Sequence, residues 1–307
     1  MSPRKFIALF CLTIGIVFNL AACNRRLSQV QAVVRNSGSD TMVNLAQAWA
    51  EQYSHEFPSV SVEVSGGGSA TGIVSLIEGS ADLANCSRQM EPEEVDAVRR
   101  KTGSEPREWL VGLDALAVYV NASNPLESIT LQQLADVYGR HGRTTSWRSL
   151  GVSIPGAKSD EIILISRQSN SGTYQYFRQS ILGSRGDFRQ GTRDLNGSKE
   201  VVSLIGGTPG TIGYSGMGYV IPQVKMLKVA RRPGETAYPP TVANTLSGAY
   251  PLSRPLYIYT RSQLSKPVQI YLDWIRSTAG QKVVELAGYV PVSHTAVDLV
   301  RTKLEKP

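Results

Sequence analysis

The chain has 307 residues, 32 Lys and Arg against 25 Asp and Glu, a formal net charge of +7 and three Cys. A chain of this length can bury one large or two medium lobes without disulfides or metals to hold them. The basic excess is modest, and its clusters, Arg99-Arg100-Lys101 and Arg231-Arg232, have no interleaved aromatics, so they read as solvated surface and no nucleic-acid partner is expected.

The N-terminus carries Arg4 and Lys5, an apolar run from Phe6 to Leu20, and the tetrad Leu20-Ala21-Ala22-Cys23. Residues 1–22 read as a secretory signal ending in a lipobox, with Cys23 as the lipidation site. A membrane-spanning anchor is the alternative, but the run falls short of the roughly 20 residues a spanning helix needs. Residues 23–31 then form a lipidated tether to a bacterial membrane, leaving the body in the periplasm or at the cell surface. Asn24, rather than Asp, after the lipidated Cys is compatible with onward sorting to an outer membrane. Cys11 leaves with the signal and Cys23 takes lipid, so Cys86 has no partner for a disulfide. Arg4 and Lys5 leave too, so the mature charge is 7 − 2 = +5, a field that favours anion capture.

In chain order, Ala32-Val33-Val34 opens a strand that runs into Asn36-Ser37-Gly38-Ser39-Asp40-Thr41. A helix follows, with Met42, Leu45, Trp49 and Tyr53 at helical spacing. Val60 to Val64 alternates as a strand, and Ser65-Gly66-Gly67-Gly68-Ser69-Ala70-Thr71-Gly72 leads to a helix burying Ile73, Val74, Leu76 and Ile77. Asp82 to Cys86 is a short buried strand. It passes through Ser87-Arg88 to a helix opened by Pro92, with Glu93 and Glu94 in its first turn. Trp109 to Asn121 is a long β stretch ended by Asn124-Pro125, and Thr130 with Gln133 forms a capping box for a helix over Leu131 to Tyr138.

Glu161 to Ser166 is the next strand. It is followed by Arg167-Gln168-Ser169-Asn170-Ser171-Gly172-Thr173 and a helix through Leu182. A helix over Ser198 to Ile205 precedes the strand Thr211 to Tyr214; beyond a Pro/Gly-rich link come the strand Leu256 to Tyr259 and helical patterns from Pro267 onward. Strands alternating with helices predict an α/β fold with two wound lobes.

Three strand-to-helix turns, Ser37 to Thr41, Ser65 to Gly72 and Arg167 to Thr173, are rich in Gly, Ser and Thr. Each offers hydroxyls and unpaired N–H groups at the positive end of a helix dipole. Any one is explained by helix capping; three, one of them led by Arg167, point to a tetrahedral oxyanion held mostly by neutral donors. Ser65 to Gly72 lacks the Gly-Lys-Ser/Thr ending of a nucleotide-binding loop. No cofactor or metal is expected.

On these loops the chain resembles the phosphate-binding proteins of bacterial ABC phosphate importers. Further matching segments are Gly79-Ser80-Ala81-Asp82-Leu83-Ala84, Ser87-Arg88, Leu134 to Gly139 with Trp147, Ile212-Gly213-Tyr214, Gly280-Gln281 and Gly288-Tyr289-Val290-Pro291. The resemblance implies a two-lobed periplasmic-binding-protein-like fold of type II, a ligand cleft between the lobes and two chain crossovers. Lobe I is expected over 32–113 plus 219–307, and lobe II over 114–218. It implies phosphate contacts from Ser39, Asp40, Thr41, Ser69, Ser87 and Arg88, and from Arg167, Ser171, Gly172 and Thr173 of the other lobe. It also implies a monomer that meets the permease subunits of an importer and transforms nothing.

The long form of that family has an Asp at the end of the third strand, where this chain has Ser87-Arg88; it looks like the compact branch with Gly-Ser-Asp-Thr in the first loop. HPO₄²⁻ keeps a proton to donate and sulfate has none, so a carboxylate acceptor welcomes the first and repels the second. Asp40 is the candidate acceptor, against the alternative of a plain helix cap, and Asp82 reads as structural. Arg88 either binds ligand or locks its loop on a neighbouring carboxylate. Cys86, Trp147 and Trp274 read as core. Rival functions are another oxyanion (sulfate, molybdate), a sensor of the same fold, or a hydrolase. The last is poorly served by three scattered His (His55, His141, His294) and by Gly213-Tyr214-Ser215-Gly216-Met217, which lacks the final Gly of a nucleophile elbow.

Overall fold

The computed structural model describes residues 30–292; the lipobox, Cys23 and most of the tether lie outside this range, as does His294. Strand β1 (Ala32–Gly38) pairs in parallel with β2 (Val60–Ser65) on one side and β3 (Leu83–Cys86) on the other. Parallel neighbours need crossovers, supplied by α1 (Val43–Glu56) and α2 (Ser69–Glu78). In α1 the residues at helical spacing, Leu45, Trp49 and Tyr53, are the buried ones. Trp49 donates its indole N–H to the Gly280 carbonyl at 2.8 Å. Helix α3 (Pro92–Thr102) starts from a capping box of Glu91 and Glu94.

The long strand β4 (Arg107–Asn121) organises the rest. Its first part, up to Ala115, runs antiparallel to β11 (Ser253–Thr260), and its second part, from Leu116, runs antiparallel to β8 (Thr211–Gly216). From Val111 to its end every residue of β4 is buried, which is why it reads as an unbroken apolar run rather than an alternating one. With β6 (Ile163–Arg167) and β7 (Arg193–Leu195) the strand order is β2-β1-β3-β11-β4-β8-β6-β7. A separate pair joins β5 (Ser128–Thr130) to β10 (Lys228–Ala230), and β9 (Val224–Met226) pairs with the end of β4.

Helices cover both faces of each half. In the first half, α1 packs with α8 (Lys266–Arg276) and α9 (Thr278–Leu286) around Trp49, Tyr271 and Trp274, while Ile73, Leu76 and Val98 from α2 and α3 meet Tyr257 and Tyr259 on the other face. In the second half, α4 (Leu131–Tyr138) and α5 (Gly172–Leu182) bury Leu134, Tyr138 and Phe177 against Tyr214, while α6 (Ser198–Gly207) lays Val201 and Ile205 beside Tyr119 and Ile165. The capping box of Thr130 and Gln133 forms at α4. Trp147 is fully buried and Trp274 nearly so.

The second crossover lies later than expected. The sequence reading places residues 219–252 in lobe I, whereas β9 pairs with β4, β10 pairs with β5, and Leu227, Val229, Tyr250 and Leu252 join the core of Leu134, Trp147 and Phe177. Helix α7 (Val242–Ser247) also contacts β4. The chain returns between Leu252, whose carbonyl accepts from the Leu116 N–H at 2.9 Å, and Ser253. Strands of three residues satisfy open edges but are too short to show alternation, so this stretch gave no periodic signal. Among the described residues no helix is long and apolar enough to cross a membrane.

Candidate anion site

The first loop leaves β1 at Gly38 and is held from outside. The Ser39 N–H donates to the Asn85 carbonyl at 2.8 Å, and Tyr219 and Tyr289 each donate a phenol hydrogen, at 2.6 Å, to the carbonyls of Asp40 and Thr41. Burial pushes the Tyr219 phenol up to about 12, so it remains a donor. Neither α1 nor α2 has a side-chain cap at its N-terminus, and the first turn of α2 instead donates the Ala70 N–H to the Asn170 carbonyl of the third loop at 3.2 Å. At α5, Ser171 Oγ is the cap, accepting from the Thr173 and Tyr174 amides at 3.2 and 3.4 Å. Its own hydroxyl hydrogen stays available.

The loops meet. Ser39 Oγ donates to Ser87 Oγ at 2.9 Å, the Ser87 N–H donates to Ser69 Oγ at 3.2 Å, and the hydroxyls of Thr41 and Thr173 lie 2.6 Å apart across the two halves. Ser39, Thr41, Ser69, Ser87, Ser171 and Thr173 are all at most 3% exposed, a concentration of buried hydroxyls with no role in the apolar core. Two glycines permit this approach. A Cβ on Gly172 would sit 2.3 Å from Ser69 Oγ and 2.8 Å from Ser87 Oγ, and one on Gly68, at φ +96°, would sit 2.6 Å from the Asn170 carbonyl oxygen. Asn170 also donates to the Gly67 carbonyl at 2.9 Å, so the second and third turns are stitched together.

Two buried arginines supply the charge. Arg167, at the end of β6, donates to Asp40 Oδ2 at 2.8 Å, to Ser198 Oγ at 3.1 Å, and to the carbonyls of Leu195 and Asn196. Burial lowers its pKa and Asp40 opposes that shift. The other oxygen of Asp40 accepts the Gly67 N–H at 2.9 Å. Asp40 therefore joins the first two loops to the opposite half, and it does not cap α1. The second arginine is Arg254 of β11. Its Nε and Nη2 donate to Asp114 Oδ2 at 3.0 and 2.8 Å, and Nη2 also reaches the Thr41 and Thr173 hydroxyls at 3.2 and 3.1 Å.

Sequence reasoning missed Arg254 and Asp114. A signal was present: each is a lone charge inside an apolar strand, Gly112-Leu113-Asp114-Ala115-Leu116 and Leu252-Ser253-Arg254-Pro255-Leu256, and such charges are buried only in pairs. Arg88 meets the carboxylate that the second of its two readings calls for. Its Nη1 and Nη2 each donate to Glu94 at 2.7 Å, and Nη1 also donates to the Gln89 carbonyl. The guanidinium thus locks the loop onto the first turn of α3, with its charge matched by Glu94. Asp82 accepts the Arg35 N–H at 2.9 Å, a brace between strands. The buried Cys86 thiol is pushed up in pKa by burial, so it stays protonated. Ser215 is wholly buried in β8, and among the described residues no three His, Cys, Asp or Glu are placed to hold a metal.

An α/β molecule of two halves joined by two crossovers, with helix N-termini from both at one buried polar cluster, has the architecture of a two-lobed binding protein of the periplasmic type. Comparison narrows the class. The model of the PBP superfamily domain matches residues 27–279. The phosphate-binding protein PstS of Pseudomonas aeruginosa is 35% identical over 278 residues, covering 87% of this chain and 85% of the relative. Protein SphX of Synechococcus elongatus is 35% identical over 86% of this chain and 79% of its own length. An ABC-transporter substrate-binding protein from Clostridium perfringens, whose crystal structure holds bound phosphate, superposes with a TM-score of 0.75 at 28% identity, covering 85% of this chain and 100% of that one. The chain belongs to the PBP superfamily and, within it, to the phosphate-binding protein family.

Proposed function

We propose that this chain binds inorganic phosphate in the cluster formed by Ser39, Asp40, Thr41, Ser69, Ser87, Arg167, Ser171, Gly172 and Thr173, and delivers it unchanged to the permease subunits of an ABC importer. The observation that carries this reading is the pairing of charge: Arg167 is matched by Asp40 and Arg254 by Asp114, while Ser69, Ser87 and Ser171 act only as acceptors within the cluster and keep their hydroxyl hydrogens for a ligand. Neutral donors aimed at one point hold a small oxyanion without the cost of a buried, uncompensated cation. The similarity to PstS, and to a substrate-binding protein solved with bound phosphate, supports phosphate over other oxyanions. Binding and release without chemistry is the task in keeping with its relatives, which are substrate-binding proteins.

The same reading makes the mature protein a monomer, carried outside the cytoplasm by the signal over residues 1–22 and tethered by lipid on Cys23. In cells lacking their own phosphate-binding protein, this chain expressed with its importer restores uptake of radiolabelled phosphate. Cys23→Ser moves the protein from the membrane fraction to the soluble one. A membrane-associated wild-type chain that restores no uptake, with the importer present, contradicts the reading.

A further inference from the structure

Asp114 and Arg254 are directly opposed in the β4–β11 ladder, and the next pair, Ala115 and Ser253, is the last before both strands pass into the other half. The buried ion pair therefore sits on the two crossovers, where any rotation of one half against the other must pivot. Both side chains are 0% exposed. From that point Arg254 reaches outward on three sides. Nη1 donates to the Ser87 carbonyl at 3.2 Å and Nη2 to Thr41 in the first half and Thr173 in the second. Helix α5 returns the contact: Tyr176 donates to the Ser253 carbonyl at 2.7 Å, and the Arg254 guanidinium lies 5.5 Å from the Tyr176 ring centroid.

We propose that Arg254 is a positioning residue that couples the anion loops to the pivot and biases the two halves toward the closed arrangement, an inference that rests on the phosphate-binding reading above. Asp114 holds the guanidinium on the pivot, so it cannot follow either half. Opening separates Thr41 from Thr173 and strips a buried cation of at least one acceptor, which opposes opening. The arginine fork matters because one planar group must serve Asp114, two hydroxyls and a carbonyl together; a lysine ammonium has three hydrogens and no fixed fork. Holding the halves together acts on escape of the anion more than on its entry.

The test is Arg254→Lys in the full mature domain, which keeps a cation against Asp114. Expected are a single cooperative thermal transition, a phosphate off-rate raised about 10-fold or more with an on-rate within about 3-fold of wild type, and a larger radius of gyration by small-angle X-ray scattering before any phosphate is added. A folded variant with the wild-type off-rate and the wild-type scattering overturns the proposal. If Arg254→Lys does not fold, the Asp114→Asn/Arg254→Gln double variant replaces it with the same readouts. If neither folds, the pair is a stability element and the proposal is rejected. A wild-type protein that binds no phosphate defeats the functional reading alone, since the ligand-free scattering still decides whether Arg254 favours closure.

Discussion

Replacing Arg167 by Ala lowers phosphate affinity by about 100- to 1,000-fold. The guanidinium is 1% exposed and ties the first loop, the start of α6 and the residues after β7 to one point. Truncating one partner of a buried, hydrogen-bonded charge pair costs about 2–5 kcal/mol, and each 1.4 kcal/mol is a factor of ten in affinity. Part of that loss comes from Asp40, which keeps its bond to the Gly67 N–H but loses its cation and then repels the incoming anion. Arg167→Lys separates charge from geometry: it restores a cation without the fork and recovers only part of the affinity. Calorimetry on variants that retain a cooperative melt gives the answer. A folded Arg167→Ala protein with wild-type affinity removes Arg167 from the site.

Asp40→Asn shifts the preference between phosphate and sulfate by about 10-fold or more, through loss of a charge-assisted hydrogen bond on the phosphate side. One oxygen of Asp40 accepts Gly67 N–H and the other accepts Arg167, at 2.9 and 2.8 Å, and each oxygen keeps a free lone pair. The amide retains one acceptor and turns two donors toward the ligand and Arg167. A ligand proton then has no carboxylate to enter, while an anion without a proton is no longer repelled. Phosphate affinity falls and sulfate affinity rises, read by competition in one titration. Should sulfate stay excluded, the proton acceptor lies elsewhere. Asp114 is a fully buried carboxylate nearby, with one oxygen bound twice by Arg254 and the other accepting the Met217 N–H at 3.1 Å.

Much of this site was legible because its parts are local. Glycine and hydroxyl residues between a strand and a helix announce a turn and a helix start within a few positions. Ser39, Thr41, Ser69, Ser171 and Thr173 lie in such windows, Ser87 enters with the family resemblance, and all six are buried. The parts that failed are those set by partners far along the chain. Arg88 is a different case: its partner Glu94 is only six residues on, but whether the turn between them brings the two side chains together is not written in the sequence. Asp40 read as a cap or a ligand, yet its partners are Gly67 and Arg167, 27 and 127 residues away. Arg254 and Asp114 lie 140 residues apart and meet only because β4 and β11 pair.

The same distinction holds for the fold. The helical stripe of α1 and the capping box of α4 are written in windows of four to fourteen residues. The return of the chain at Ser253 is not, because it depends on which open edge β9 and β10 complete.

Phosphate capture without chemistry is tested most directly by titrating the lipid-free mature domain with phosphate at neutral pH, alone and in excess sulfate. The arrangement described here predicts saturable one-to-one binding that sulfate does not displace, with the phosphate recovered unchanged. An absence of binding heat with phosphate, or its full displacement by sulfate, contradicts it.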